Sequence, residues 1–369
     1  MKVLHILYSG LGGHGNVFFS LVQADVDNEF EYEALFNGIE EVKPEYVLKC
    51  NEIGMQWNFV KKTPGLDIAY YKEIAKIVKI SAAGIIFLHS SSYILPAKIG
   101  IWLGKKKKKI IVRETQANHL KSKMEWFWLF IALLLADKIV FLTNEYKSQL
   151  KKRFKFFLKE HKTSIVPNGI NLANYLPGST RKKNEIIIGM QSRLIAIKDH
   201  TTLLKAFSIL KTHYKNISLK LVIAGDGETR SILEHETKNL GIENNVQFTG
   251  MLNEKELILF MKSLSIYVHA SLGETMSTAI MQAMACGLPI VGSDVPGINN
   301  MITQNHTGIL VTPKQPKQMF NAFQQLIENP LFAEKLVSNA LKFANENYSN
   351  KSMFAKYKTI FKNLNANNL

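Results

Sequence analysis

At 369 residues the chain is too long for one ordinary domain and comfortable for two, each large enough to bury its own core. With 46% hydrophobic and 21% charged residues it reads as globular, with one biased tract, Lys105 to Lys109, and disorder expected only in the Asn-rich tail 363–369. The formal net charge of +16 points to an anionic partner, while two cysteines, Cys50 and Cys286, exclude a disulfide scaffold and suit a reducing compartment with both thiols free.

The opening MKVLHILYSGLGG has the short apolar run of a signal peptide, but His5 interrupts it and glycines follow. A buried strand entering a tight loop is the better reading. Further predicted strands cover 31–36, 84–88, 109–113 and 138–142, and helices lie near 14–24, 67–80, 93–104 and 120–136. This alternation is that of a parallel sheet covered by helices, a doubly wound first domain over 1–165. Residues 166–184, VPNGINLANYLPGSTRKKN, lack an apolar period and read as a linker.

The alternation then restarts, with strands at 185–190, 219–225, 246–250, 265–270 and 289–294 and helices at 199–213, 228–240, 254–262 and 278–286. A second Rossmann-like domain is expected over 185–349. The end, 314–365, reads as wholly helical, with 350–369 crossing back to the first domain. Two such sheets are expected to face one another across a cleft, with ligands in the loops that follow strands, at the points where strand order reverses.

Strand 2–8 runs into SGLGGHGN, where Gly10, Gly12 and Gly15 satisfy G-x-G-x-x-G between a strand and a helix. Glycines let a backbone approach a phosphate at a helix N-terminus, so Gly12 and Gly13 are donor-binding candidates; a tight turn with no ligand satisfies the pattern equally. Glu31 and Glu33 fall near the distance at which a dinucleotide's ribose would be held.

The run HASLGETMSTAIMQAMACGLPIVGSDVPG, 269–297, resembles the donor-site signature of the family 4 glycosyltransferases: an acidic residue in a loop after a strand, a second polar position on the following helix, then AMACGLP and an apolar strand. The resemblance implies a GT-B architecture, retention of anomeric configuration and no cofactor beyond the nucleotide-sugar substrate, UDP-linked before GDP-mannose. It places Glu274 at the sugar hydroxyls, Thr275, Met276, Ser277 and Thr278 at the diphosphate, and Gln282 at the ribose. The family usually carries a second glutamate where Gln282 stands; an amide offers one acceptor and one donor group where a carboxylate only accepts. In MQSRLIAIKDHTTLLKAF, 190–207, the same resemblance puts Arg193 and Lys198 beside the leaving phosphate, where fixed cations stabilise developing charge. Gly225 and Gly227 of VIAGDGE match a close-approach turn, and Gln247 to Gly250 would end a strand near the nucleobase.

Polar residues end two buried strands of the first domain, and His89, Arg113, Glu114 and His119 are acceptor-side candidates; Glu114 stands where the family often has a histidine. Asp25 and Asp27 have the spacing of a manganese pair but lie at a helix end and read as solvated surface. No histidine pair sits on a convincing helix face, so no catalytic metal is expected.

Between Ala97 and Lys162 there are 17 Lys and Arg against 5 Asp and Glu. After the aromatic stretch of Trp126, Phe127, Trp128 and Phe130, residues 146–162 place Leu150, Phe154, Phe157 and Leu158 on one helical stripe among lysines. That pattern predicts an amphipathic helix in an anionic lipid interface, the alternative being a stripe packed on the sheet with its lysines only solvated, and nucleic acid is disfavoured as a partner. The apolar run 126–136 is about half the ~20 residues a span needs. The reading is therefore a metal-independent glycosyltransferase, cytoplasmic and peripheral on the inner face of the cell membrane, acting on a lipid-linked or glycan acceptor. A nucleotide-sugar epimerase of the same fold and a basic lipid- or nucleic-acid-binding module with a degenerate pocket are the alternatives.

Overall fold

The computed structural model describes residues 1–10, 13–104, 106–178 and 185–366. Seven strands alternate with helices in the first part of the chain: β1 (Lys2–Tyr8), α1 (Gly13–Gln23), β2 (Glu31–Gly38), α2 (Pro44–Glu52), β3 (Gln56–Lys61), α3 (Ile68–Ile80), β4 (Ile85–Leu88), α4 (Ile94–Gly104), β5 (Lys109–Glu114), α5 (Lys123–Leu135), β6 (Lys138–Phe141), α6 (Asn144–Arg153) and β7 (Thr163–Ile165). All strand pairs are parallel and the order is β3-β2-β1-β4-β5-β6-β7, so the strand order reverses between β1 and β4. β4 is buried at every position, as expected of a parallel strand covered on both faces. Side chains that accept backbone N–H groups start several helices: Asp67 accepts from Tyr70 N at the head of α3, and Ser122 with Glu125 forms a capping box on α5.

The second sheet is built from β8 (Glu185–Gln191), α7 (His200–His213), β9 (Ser218–Ala224), α8 (Arg230–Asn239), β10 (Val246–Gly250), α9 (Glu254–Ser263), β11 (Ile266–His269), α10 (Thr278–Ala285), β12 (Ile290–Ser293), β13 (Ile309–Val311), α11 (Pro316–Glu328) and α12 (Pro330–Asn347). It too is wholly parallel, in the order β10-β9-β8-β11-β12-β13, the doubly wound dinucleotide-fold order with its switch between β8 and β11. Contacts divide the chain into one unit of Met1–Ile170 with Asn350–Leu369, and another of Asn171–Ser349. The last helix, α13 (Asn350–Ala366), packs with α1 and belongs to the first unit.

Four elements escape the sequence reading. β3 is a half-exposed edge strand, β7 and β13 have three residues each, and α2 is a short polar helix, so none shows a long apolar period. Three expectations are corrected. The amphipathic helix over 146–162 ends at Arg153; Leu150 and Leu158 lie in the core of the first unit, because the sheet competes for them more strongly than solvent or lipid does. Residues 363–366 of the tail continue α13, since Phe361 and Leu364 hold that turn against the core. Asp25 is buried rather than solvated, accepting from Glu29 N and Phe30 N at 3.0 Å and from Tyr32 Oη at 3.1 Å. Cys50 and Cys286 are both buried.

α13 contributes Met353, Phe354, Tyr357, Ile360 and Phe361 to the core of the first unit, and the Phe361 ring meets those of Phe30 and Phe87 edge-on, its centroid 5.1 Å and 6.2 Å from theirs. All four tryptophans, Trp57, Trp102, Trp126 and Trp128, lie in that unit, so tryptophan emission reports its unfolding selectively. Phe361→Ala is expected to destabilise this unit by about 3–5 kcal/mol. In urea, a midpoint of the tryptophan transition no lower than that of the parent protein would contradict the packing of α13.

Candidate active site

In sheets of this topology, ligands bind beyond the carboxyl ends of the strands at the switch point. In the second unit that point is formed by the loops after β8 and β11, and the two are laced together. Asp199 N donates to Ala270 O at 3.3 Å, Leu272 N to Ile197 O at 2.8 Å, and Ser271 Oγ to Ile197 O at 3.2 Å. Asp199 accepts from Thr202 Oγ1 at 2.8 Å and from Lys314 N at 3.0 Å, which ties its carboxylate to the loop. The turn after β9 presses on the same loop. Gly225 has φ +139°, and a Cβ there would lie 1.9 Å from Ser192 O, so only glycine permits the approach.

This bracing sets Lys198 Nζ against Glu274 Oε2 in an ion pair whose side chains are 11% and 20% exposed. Glu274 Oε2 also meets His269 Nε2 at 3.2 Å, and His269 Nδ1 meets Tyr267 Oη at 3.0 Å. Burial first, and then the Lys198 charge, depress the His269 imidazole against the pull of Glu274, so the ring is neutral. A neutral ring has one N–H: Nε2 donates it to the carboxylate and Nδ1 accepts from the tyrosine. Burial alone would push the Glu274 carboxyl up, but the His269 hydrogen bond and the Lys198 charge outweigh it and hold the group well below the usual carboxylate range. Gly297, at φ +93°, lets the loop after β12 pack against the Glu274 carbonyl.

Beyond Glu274, Thr275 N donates to Glu274 Oε1 at 3.2 Å and Ser277 N to Met301 Sδ at 3.3 Å. Ser277 precedes α10 without a side-chain cap, which leaves the first amides of that helix unsatisfied by it. Met276 is buried and Thr278 half-buried. Arg193 is exposed and makes no ion pair among the described residues. Gln282 is buried; its Nε2 donates to Tyr175 Oη at 2.8 Å, and its Oε1 has no partner among the described residues. Sequence reasoning did not assign Tyr267, His269 or Tyr175. His269 carries a signal in hindsight, as a histidine closing an apolar strand five residues before the acidic position; Tyr175 lies in the segment read as linker.

In the first unit, Gly12 lies outside the described residues and Gly13 begins α1. His89 and Arg113 are not open to an acceptor as expected: both are buried in a polar chain. Arg113 donates from Nη2 to Asn168 Oδ1 and from Nη1 to His89 Nδ1, the latter at 3.2 Å. Because guanidinium only donates, the proton of His89 sits on Nε2 and is given to His5 Nδ1 at 3.0 Å. The remaining proton of His5, on Nε2, has no partner among the described residues. Glu114 is also buried, 3.4 Å from Lys121, and burial raises its carboxyl against the Lys121 charge; its Oε2 is unpartnered among the described residues. His119 stands exposed in the turn after β5.

The chain matches the family described as Glycosyltransferase Family 4 over residues 11–174 and that described as Glycosyl transferases group 1 over residues 174–343. The fold is that of the GT-B glycosyltransferases: the crystal structure of Anabaena HepE in complex with UDP and glucose aligns with a TM-score of 0.81 at 16% identity, over 98% of this chain and 100% of that one. The chain belongs to the family 4 glycosyltransferases. An uncharacterised glycosyltransferase of Methanocaldococcus jannaschii is 28% identical over 277 residues, 70% of this chain and 69% of the relative. The alpha-monoglucosyldiacylglycerol synthase of Streptococcus pneumoniae is 30% identical over 183 residues, 46% of this chain and 38% of that enzyme.

Burial, followed by the charge of Arg113, holds His5 at about 3, whereas the unfolded chain has an ordinary imidazole near pH ~6.5. Below that pH the unfolded chain takes up a proton that the native unit refuses, so stability is full above about 6.5 and falls as the pH drops toward 3. Each pH unit in that window is expected to cost about 1.4 kcal/mol for this histidine. Urea midpoints read from tryptophan emission at pH 7 and pH 5 check it, and an equal pH slope in His5→Phe would contradict it.

Proposed function

We propose that the chain is a retaining glycosyltransferase that moves a sugar from a nucleoside diphosphate, UDP in preference to GDP, to a lipid-linked or surface-polysaccharide acceptor on the cytoplasmic face of the cell membrane. The observation that carries this reading is the Lys198–Glu274–His269 cluster at the β8/β11 switch point, beside the uncapped start of α10. A buried carboxylate kept ionised accepts hydrogen bonds from sugar hydroxyls, and these strengthen as the ring gains positive charge in the transition state. Lys198 and exposed Arg193 then take the diphosphate, and the unpartnered Oε1 of Gln282 accepts from a ribose hydroxyl. The bond from the anomeric carbon to the β-phosphate oxygen breaks as the acceptor oxygen bonds to the same face, and the acceptor proton passes to the departing phosphate.

The UDP and glucose in the HepE crystal support the donor class, and the printed activity of the pneumococcal relative supports a lipid acceptor. For charge stabilisation without a metal, the support is the pair of cations and the helix terminus. None of the described helices is long and apolar enough to cross a membrane.

Turnover of UDP-sugar is expected to persist in excess EDTA. Glu274→Ala should lower the rate by two or more orders of magnitude, roughly ~3 kcal/mol, while UDP still binds. Gln282→Ala should mainly weaken UDP affinity, and Gln282→Glu should keep it. Calorimetry with UDP beside turnover of each variant separates the roles. Near-parental turnover in Glu274→Ala would overturn the site, and loss of activity in EDTA restored by manganese would overturn the metal-free route.

A further inference from the structure

α4 sits on α3 through Gly100, where a Cβ would fall 2.4 Å from the Ala75 carbonyl, and this close seat fixes which side of α4 points outward. The outward side carries Leu95, Ile99, Trp102 and Leu103, successive positions of one helical stripe, and Trp102 is 78% exposed. α5, packed beside α4, continues the apolar surface with Met124, Phe127 and Leu134, of which Met124 is 60% exposed. Large side chains on one stripe of each of two neighbouring helices differ from the scattered single hydrophobics of an ordinary surface. On the far edge of α5, Phe154 stacks on Phe130 and Phe157 meets it edge-on, and Phe156 beside them is 86% exposed.

The charge around this surface has one sign. α4 contains no acidic residue, and the single acid of α5, Glu125, is turned back into its capping box with Ser122. Lys106, Lys107, Lys123, Lys152 and Lys155 are exposed along the flanking segments, with Lys98 half-buried on α4 itself. A second copy docked across a two-fold axis would bring these lysines against their own kind. At 11 and 13 residues the helices are too short to span a bilayer but suited to lie in its interface.

We propose that the α4–α5 face is the surface by which this protein docks on an anionic bilayer, its apolar stripes entering the headgroup layer and its lysines meeting lipid phosphates. The inference deepens the membrane reading above and rests on it. It also moves the contact from the 146–162 segment, whose stripe is partly buried, to two helices whose stripes are not.

The test uses the full chain with vesicles of phosphatidylglycerol and phosphatidylcholine, and of phosphatidylcholine alone. The parent protein is expected to co-sediment with the anionic vesicles, and the Trp102 contribution to emission, taken as the difference from Trp102→Phe, should shift to the blue on binding. Ile99→Glu with Trp102→Glu should lower binding at least about tenfold, with the melting temperature and donor hydrolysis in solution unchanged. If the parent protein binds and the double variant binds equally, this face is not the docking surface. If the parent protein binds no anionic vesicle, the membrane reading itself fails. A dimer in solution that the double variant dissociates would give the face to a second copy and overturn the proposal.

Discussion

The arrangement of the second unit centres on one largely desolvated ion pair, Lys198 with Glu274. Removing two charges from water costs several kcal/mol each, and their attraction recovers this only where further hydrogen bonds satisfy what remains. Here those bonds exist: Glu274 takes the neutral His269 and the amide of Thr275, and the loop that carries Lys198 is tied to the loop that carries Ser271. An expensive, fully braced ion pair at a sheet's switch point contributes little to folding that an apolar pair could not. Its worth lies in presenting an ionised carboxylate and an ammonium at fixed positions.

Much of this was legible in the sequence. The alternation of strands and helices came through because buried parallel strands such as β4 are continuous apolar runs, and Glu274 and Lys198, which the family resemblance puts at one site, do lie side by side. What escaped depended on tertiary competition. Leu150 and Leu158 fit an interfacial helix by period, yet the sheet core claims both; α4, apolar except for Lys98, carries no polar stripe to mark which side faces out. Periodicity shows that a stripe exists but not which neighbour covers it.

The same distinction separates the candidates of the first unit. His89 and Arg113 end buried strands and read as acceptor contacts, but Arg113 is turned inward to Asn168 and a chain of two histidines, so it fixes their tautomers and joins β5 to the segment after β7. Glu114 is buried as well, its carboxyl raised by burial, and of the four candidates His119 is the one that stands exposed. Asp25 shows the reverse case: the spacing of a metal pair proves to be a cap for the turn into β2.

The central claim, that a neutral His269 holds the ionised Glu274 ready for a sugar, is open to direct observation by nitrogen-15 NMR of histidine-labelled protein, with His269 assigned through its loss in His269→Gln. The account predicts a ring that is neutral and protonated on Nε2 at neutral pH, whose resonances move when UDP-glucose is added. A protonated imidazolium at neutral pH, or a ring indifferent to the nucleotide sugar, would contradict it.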